Sequence, residues 1–462
     1  MSKLRYALLA AGCAGALAAV AALTLGTNAA QGGDRDHVSK DVRNMLNDVK
    51  ARNIQQTIDT LVGFGTRHTL SSQTDPNRGI GAATRWVYDQ LQATAAASGG
   101  RLTVEKQTFT QPAGPRIPQP TEITNVIATL HGQQPASAGR TYVVSGHLDS
   151  RVTDVLNGTS DAPGADDDAS GVAAVLELAR VMSKHDFDAT IVFAVFSGEE
   201  QGTFGSINYA TRLKDAGVNV AGMFSNDIIG NTLGQNGVRD RHDLRVFAEG
   251  PSPQETPAQA AIRRTMGGEN DSPPRELARF VREAAEAAIP KMNVWIIYRR
   301  DRFLRGTDDG PFLDRGYPGL RMTEPNEDYR HEHQDVRDEN GVEFGDRLKF
   351  VDFDYVADVA QVNLAALAGL ANGPAAPSGV KVEAATLTVD TSLEWQPNTE
   401  PDLKGYEIVY RETNAPYWQH TIPVGDVTSF TVKGITKDNF LFGVRAVDTD
   451  GNRSVVTFPV PK

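Results

Sequence analysis

The sequence predicts an α/β fold, a mostly parallel central sheet flanked by helices, followed by a small all-β sandwich. Two observations carry this expectation. First, from Asn125 to Leu370 short apolar runs (NVIATL at 125–130, TYVVSG at 141–146, IVFAVFS at 191–197, NVWIIY at 293–298) alternate with helical stretches near 171–184, 203–216, 275–288 and 353–371. Continuous apolar strands between amphipathic helices are the pattern of a sheet buried on both faces. Second, after ANGPAAPSG at 371–379 the helical pattern stops. VKVEAATLTVDTSLEWQP, GYEIVYRET, TSFTVKG and FLFGVRAVDTDGNRS follow at the turn-punctuated spacing of a β-sandwich.

The elements divide the 462 residues into three parts. Residues 1–30 carry Lys3 and Arg5, an apolar stretch from Tyr6 to Leu25 and a small-residue exit, the layout of a secretory signal peptide; a permanent membrane anchor is the alternative. A secreted, periplasmic or extracellular location follows. The only cysteine, Cys13, lies inside this leader, where lipid attachment is a lesser alternative. The mature chain then has no disulfide, so it must rely on core burial and bound metal. Residues 31–374 form the α/β domain, with a helical amino-terminal part at about 36–95, and residues 377–462 form the sandwich. The formal charge is −12, and removing Lys3 and Arg5 makes it −14. Such an acidic chain is not expected to bind nucleic acid.

Within the α/β domain the stretch APGADDDASG, 162–171, sets three aspartates where a loop enters a helix. Val172, Val175, Leu176 and Ala179 give that helix one apolar face, and Ser170 is the expected N-cap. Taken alone the run reads as a solvated acidic turn. Other strand ends change that reading, since ligands of such folds gather at the carboxyl edge of the sheet. TYVVSG ends in His147, with Asp149 two residues on, a carboxylate placed to orient the ring. IVFAVFS ends in Glu199 and Glu200, and VAGMFS ends at Asp227. Imidazole and carboxylates from several strand ends, without thiolate, form a donor set for divalent cations.

The ordered motifs GHLDS, PGADDDASG, SGEEQG and ND resemble the secreted zinc aminopeptidases of the aminopeptidase Y and bacterial leucyl aminopeptidase type. The likeness runs over roughly Asn125 to Leu370. It implies the zinc exopeptidase fold, two Zn2+ per chain and peptide substrates cleaved from the amino end. It also implies His147 as a ligand of one zinc, Asp167 bridging both with a cis peptide to Asp168, Glu200 and Asp227 as terminal ligands, and Glu199 as general base. The family's late histidine is followed four residues on by aspartate, so the resemblance assigns His331, with His333 as the alternative. One departure stands out. Where the family often has Ser-Asp-His this chain has Thr307, Asp308 and Asp309, which leaves the usual apolar substrate preference open. Arg302 and Arg305 just upstream read as surface charges, with binding of a substrate carboxylate as the alternative.

The carboxyl-terminal part resembles a fibronectin type III domain through Trp395, Tyr406 and FLFGVRAVD, with Phe440 where a tyrosine is common and Trp395 a core residue. Such modules attach enzymes to cell surfaces or polymers. Two competing functions remain, a carboxypeptidase or dipeptidase of the same fold and a non-catalytic surface adhesion protein; a cyclase on a related fold would need only one zinc.

Overall fold

A computed structural model describes residues 38–462; the expected leader and Cys13 lie outside the described residues. No helix among the described residues is long and apolar enough to cross a membrane. The chain begins with α1 (Lys40–Asp48), α2 (Ala51–Gly63) and α3 (Ile80–Ala97), then forms the edge hairpin β1 (Leu102–Gln111) and β2 (Thr121–Leu130). Next come β3 (Arg140–His147), α4 (Ala169–Met182), β4 (Thr190–Phe196), α5 (Phe204–Asp215), β5 (Asn219–Asn226) and β6 (Asp243–Ala248). The domain continues through α6 (Pro257–Met266), α7 (Pro273–Ala288), β7 (Asn293–Ile297), α8 (Gly310–Leu313) and β8 (Gly319–Thr323). A short hairpin of β9 (Arg337–Glu339) and β10 (Val342–Phe344) precedes the closing helix α9 (Phe353–Asn372).

Strands β1 to β8 make one sheet in the order β1-β2-β4-β3-β5-β8-β6-β7. Its centre, β4-β3-β5-β8, is parallel, while the β1/β2, β2/β4 and β6/β8 pairs are antiparallel. The sequence showed the buried middle and missed three strands. β1 (LTVEKQTFTQ) is polar because it is an edge strand wetted along most of its length. β6 and β8 have only six and five residues, and Arg245 and Arg321 interrupt their apolar runs.

Helix α4 has apolar residues all round and is buried at every position except Arg180, as a helix inside a core must be. It lies with α2, α7 and α9 over one face of the sheet, in the largest apolar cluster. The other face is smaller: Tyr209 of α5 and Phe312 of α8 close over Val143, Phe196 and Met223. Packed between these layers, β3, β4 and β5 are fixed in register, so their carboxyl ends His147, Phe196 and Asn226 meet at one edge.

The last residues form two small sheets. One has the order β15-β12-β11-β17 and the other β14-β13-β16, with β11 (Lys381–Val382), β12 (Thr391–Glu394), β13 (Leu403–Glu412), β14 (His420–Gly425), β15 (Ser429–Val432), β16 (Phe440–Asp448) and β17 (Val460–Pro461). Trp395 is buried between them against Tyr406, at 5.3 Å between ring centroids. These sheets dock on α7 and the turn before it through groups that carry no sequence motif. Arg411 makes two bonds to Asp271, at 2.7 and 2.9 Å, with both side chains buried. Trp418 donates its indole N–H to Glu276 at 2.9 Å, and Arg279 donates to the Pro416 carbonyl at 2.8 Å.

Candidate metal centre

The three adjacent aspartates do three different jobs. Asp168, not Ser170, is the N-cap of α4. Its Oδ1 accepts from the Gly171 amide at 2.9 Å while Oδ2 accepts from the His147 amide at 2.9 Å, tying the helix start to the end of β3. Ser170 instead donates to the Asp166 carbonyl at 2.6 Å and accepts from the Ile229 amide at 3.1 Å. Asp166 accepts from the Gly230 amide at 2.7 Å and so holds the segment after β5. That leaves Asp167, followed by a cis peptide, with its carboxylate facing the cleft. Asp346 supports the turn from behind by accepting the Asp166 and Asp167 amides.

Two imidazoles meet Asp167, one at each oxygen. His147 Nε2 lies 3.1 Å from Oδ1 and 3.9 Å from Asp227 Oδ1, and His333 Nε2 lies 2.8 Å from Oδ2 and 3.2 Å from Glu200 Oε1. The late histidine at this centre is therefore His333, a correction to the choice of His331. The four-residue spacing to Asp335 does not survive here, because the chain coils tightly after Tyr329 and His333 itself has φ of 54°. His331 turns away and stacks on Phe350, centroids 3.5 Å apart. It lines a separate, larger cavity of about 790 Å³ that contains neither His147 nor the paired glutamates.

Asp149 is also placed differently from the expectation. The His147 ring meets the Asp149 backbone carbonyl, Nδ1 to O at 3.0 Å, while the carboxylate stays 3.8 Å from that nitrogen. The carboxylate binds the turn after β4 instead. Oδ1 accepts from the Gly198 and Glu199 amides at 2.9 and 3.1 Å, and Oδ2 accepts from the Glu200 amide at 3.1 Å and the Thr69 hydroxyl at 2.8 Å. It thereby fixes the backbone from which Glu199 and Glu200 project.

So much buried negative charge requires compensation. Arg321, fully buried on β8, reaches Asp227 Oδ1 at 3.1 Å and Asp301 Oδ2 at 3.1 Å. Arg67, also fully buried, donates to the carbonyls of Leu148, Pro163 and Gly164 beneath the aspartate turn; burial lowers its pKa to about 10 against the pull of Asp346 and Asp168. Burial opposes ionisation of Asp167, yet His333 and His147 outweigh it and hold the carboxyl well below its ordinary range. Burial has the upper hand at Glu199, where Glu200 and Asp227 add to it and push the carboxyl well above its ordinary value against the pull of His147.

The centre opens into a cleft of about 530 Å³. Arg302 and Arg305 line it rather than the outer surface. Arg302 pairs with Glu327 at 3.1 Å, and Arg305 with Glu327 at 3.2 Å and with Glu332. Glu332 in turn brings an oxygen to within 4.8 Å of ligand atoms of Asp167 and His333. Asp308 and Asp309 are buried, and Asp308, close enough to interact with the charges of His147 and Asp227, is pushed up to about 7 by burial.

The charge arrangement has a signature of its own. If His147 Nδ1 donates to a carbonyl, its Nε2 lone pair faces two carboxylate oxygens, acceptors against acceptors, and buried Glu200 Oε1 makes no hydrogen bond although His333 Nε2 lies 3.2 Å away. Cations at these points satisfy both. At His333 the Nδ1 atom meets Arg151 Nη2 at 2.6 Å, and Arg151 Nε pairs with Glu200 at 2.7 Å. Nε2 ligation puts the proton of His333 on Nδ1, so that contact with Arg151 and a cation on Nε2 are alternatives.

Residues 125–342 match the pattern of Peptidase family M28. The chain is 49% identical over 422 residues to a probable zinc metalloprotease of Pyrenophora teres f. teres, covering 91% of this chain and 87% of that protein. It is 50% identical over 427 residues to a probable zinc metalloprotease of Pyricularia oryzae, covering 91% and 84%. Among solved structures, LapB from Legionella pneumophila superposes with a TM-score of 0.50 at 17% identity, over 73% of this chain and 77% of that one. An aminopeptidase from Aneurinibacillus sp. strain AM-1 does so with a TM-score of 0.50 at 16% identity, over 71% and 95%. At such identities these two speak for the fold, and the extended sequence matches for the family: this chain is an enzyme of peptidase family M28.

Proposed function

We propose that the enzyme is a secreted aminopeptidase that removes amino-terminal residues from peptides with two zinc ions. The observation that carries this reading is Asp167, which presents one oxygen to His147 and the other to His333, with Asp227 on the first side and Glu200 on the second. A carboxylate so shared, with imidazole and carboxylate at either end, fits a pair of cations, and an imidazole at each end suits zinc. The names of the relatives, probable zinc metalloproteases, support the same metal. His147, Asp167 and Asp227 would hold one ion and Asp167, Glu200 and His333 the other. When bound, the pair supplies Lewis acidity to the attacking water and to the scissile carbonyl.

The chain's own residues do the rest. Glu199, half-buried in the cleft on the turn that Asp149 fixes, takes the proton from water and returns it to the leaving amine. Asp149 and Thr69 keep that turn rigid, and Arg321 holds Asp227 in place without entering the reaction. A free substrate amine finds acidic oxygens of Glu199, Asp227 and Glu332 around the cleft, which supports cleavage from the amino end. The two small sheets of residues 377–462 are assigned as a fibronectin type III-like module that attaches the enzyme to a surface or polymer.

The experiment compares hydrolysis of peptides with free and with acetylated amino ends by the zinc-loaded protein. Cleavage of the free peptides alone supports the reading. Cleavage of both, or release from the carboxyl end, would replace it with an endopeptidase or carboxypeptidase.

A further inference from the structure

The β1–β2 connection, QPAGPRIPQP at 111–120, contains four prolines and a two-way bridge. The Gly114 amide donates to the Ile117 carbonyl at 2.7 Å and the Ile117 amide to Gly114 at 3.1 Å, with Pro115 and Arg116 as the two corner residues. Proline at the first corner presets the backbone for such a turn, and Ile117, 1% exposed, anchors it. Arg116 is thus presented on a stiff tip, and its side chain lines the cleft of the metal centre. There Nη1 donates to the Glu200 carbonyl at 2.9 Å, one residue from Glu199.

Four arginines line this cleft, and three already have carboxylate partners. Arg151 is held by Glu200, Arg302 by Glu327, and Arg305 by Glu327 and Glu332. Among the described residues no carboxylate pairs with Arg116, whose remaining guanidinium N–H groups are left for a ligand. A planar donor fork, fixed by a rigid turn and bound by one nitrogen to the catalytic turn, is suited to a carboxylate.

From this geometry we infer that Arg116 binds a carboxylate of the peptide substrate within one or two residues of the scissile bond, and so selects peptides that carry a carboxylate there. The inference rests on the peptidase reading and names its substrate class. The carboxylate is either an acidic side chain or the free carboxyl end of a short peptide. Arg116 is a specificity-determining residue and takes no part in proton transfer.

The test uses three peptides: Leu-Ala amide, Leu-Glu amide and Leu-Ala with a free carboxyl end. kcat and KM are measured for wild type, Arg116→Gln and Arg116→Lys. The expected result is that Arg116→Gln lowers the preference for a carboxylate-bearing peptide over the neutral one by about fivefold, through KM, as for a partly exposed ion pair. Arg116→Lys should restore part of it. Loss confined to Leu-Glu amide identifies the side chain as the source, and loss confined to free Leu-Ala identifies the carboxyl end. A ratio unchanged by Arg116→Gln overturns the inference, including the case in which all three peptides slow together because Arg116 merely props the Glu200 carbonyl. Acetylated forms of the peptides run alongside: if only these are cleaved, the aminopeptidase reading falls and the ratio is read on them. Calorimetric binding of the same peptides to the zinc-loaded Glu199→Gln protein gives the ratio without turnover.

Discussion

Asp149→Asn separates the role the structure gives this residue from the one its position after His147 suggested. The carboxylate accepts four hydrogen bonds, from the amides of Gly198, Glu199 and Glu200 and from Thr69. An asparagine keeps one accepting oxygen. With that oxygen facing Gly198 and Glu199, the new NH2 group points at the Glu200 amide, donor against donor, while the Thr69 hydroxyl can rotate to accept. One bond to an ionised acceptor is lost, about 1.5–3 kcal/mol, and a buried N–H is left unpaired at about 1–3 kcal/mol. The turn therefore loosens by roughly 2.5–6 kcal/mol in total. Because Glu199 and Glu200 ride on it, kcat should fall by at least about tenfold, which needs only ~1.4 kcal/mol of that loss to reach the transition state. The assay is kcat on a free-amino peptide, with metal content measured in parallel. Wild-type kcat in Asp149→Asn would refute the reasoning, since a turn held by this carboxylate cannot lose it without consequence.

Three further outcomes are expected. Glu199→Gln should lower kcat about a hundredfold or more, in line with the loss of a general base, and elemental analysis should find its metal content equal to wild type. His333→Ala should lose one metal ion, whereas His331→Ala should keep both and lose only its stacking on Phe350, about 1 kcal/mol; equal metal loss in the two variants would be evidence against the placement of the late ligand. Asp271→Ala leaves Arg411 and Arg279 buried without this partner, so denaturant unfolding should show a loss of about 3–5 kcal/mol. Limited proteolysis should then attack the two small sheets of β11 to β17 first.

The centre was legible where the chemistry forces a local pattern. Apolar strands that end in His147 or are followed at once by Glu199–Glu200 and Asp227 stand out because buried strands rarely lead straight into charge, and small residues around Asp167 mark a tight turn. What stayed hidden depends on contacts far apart in the chain. Arg67, Arg321 and Asp346 sit in loops or short strands with no motif, and their roles exist only once β3, the aspartate turn and β8 are packed together. A search for buried counter-charges to so many carboxylates could have suggested that some arginines were internal, but not which. His331 and His333 differ by one coil of an irregular segment, and spacing alone selected the wrong one. The same limit applied to Asp149, where alternation along the strand placed the carboxylate near His147 but could not show the amides of Gly198 to Glu200 competing for it.

The central claim is that Asp167 is shared between two ions. Anomalous diffraction at the zinc edge from zinc-loaded crystals tests it most directly. The account predicts two peaks about 3.5–4 Å apart, one against His147 and Asp227 and the other against Glu200 and His333, with Asp167 between them. A single peak, or a second one beside His331, would contradict it.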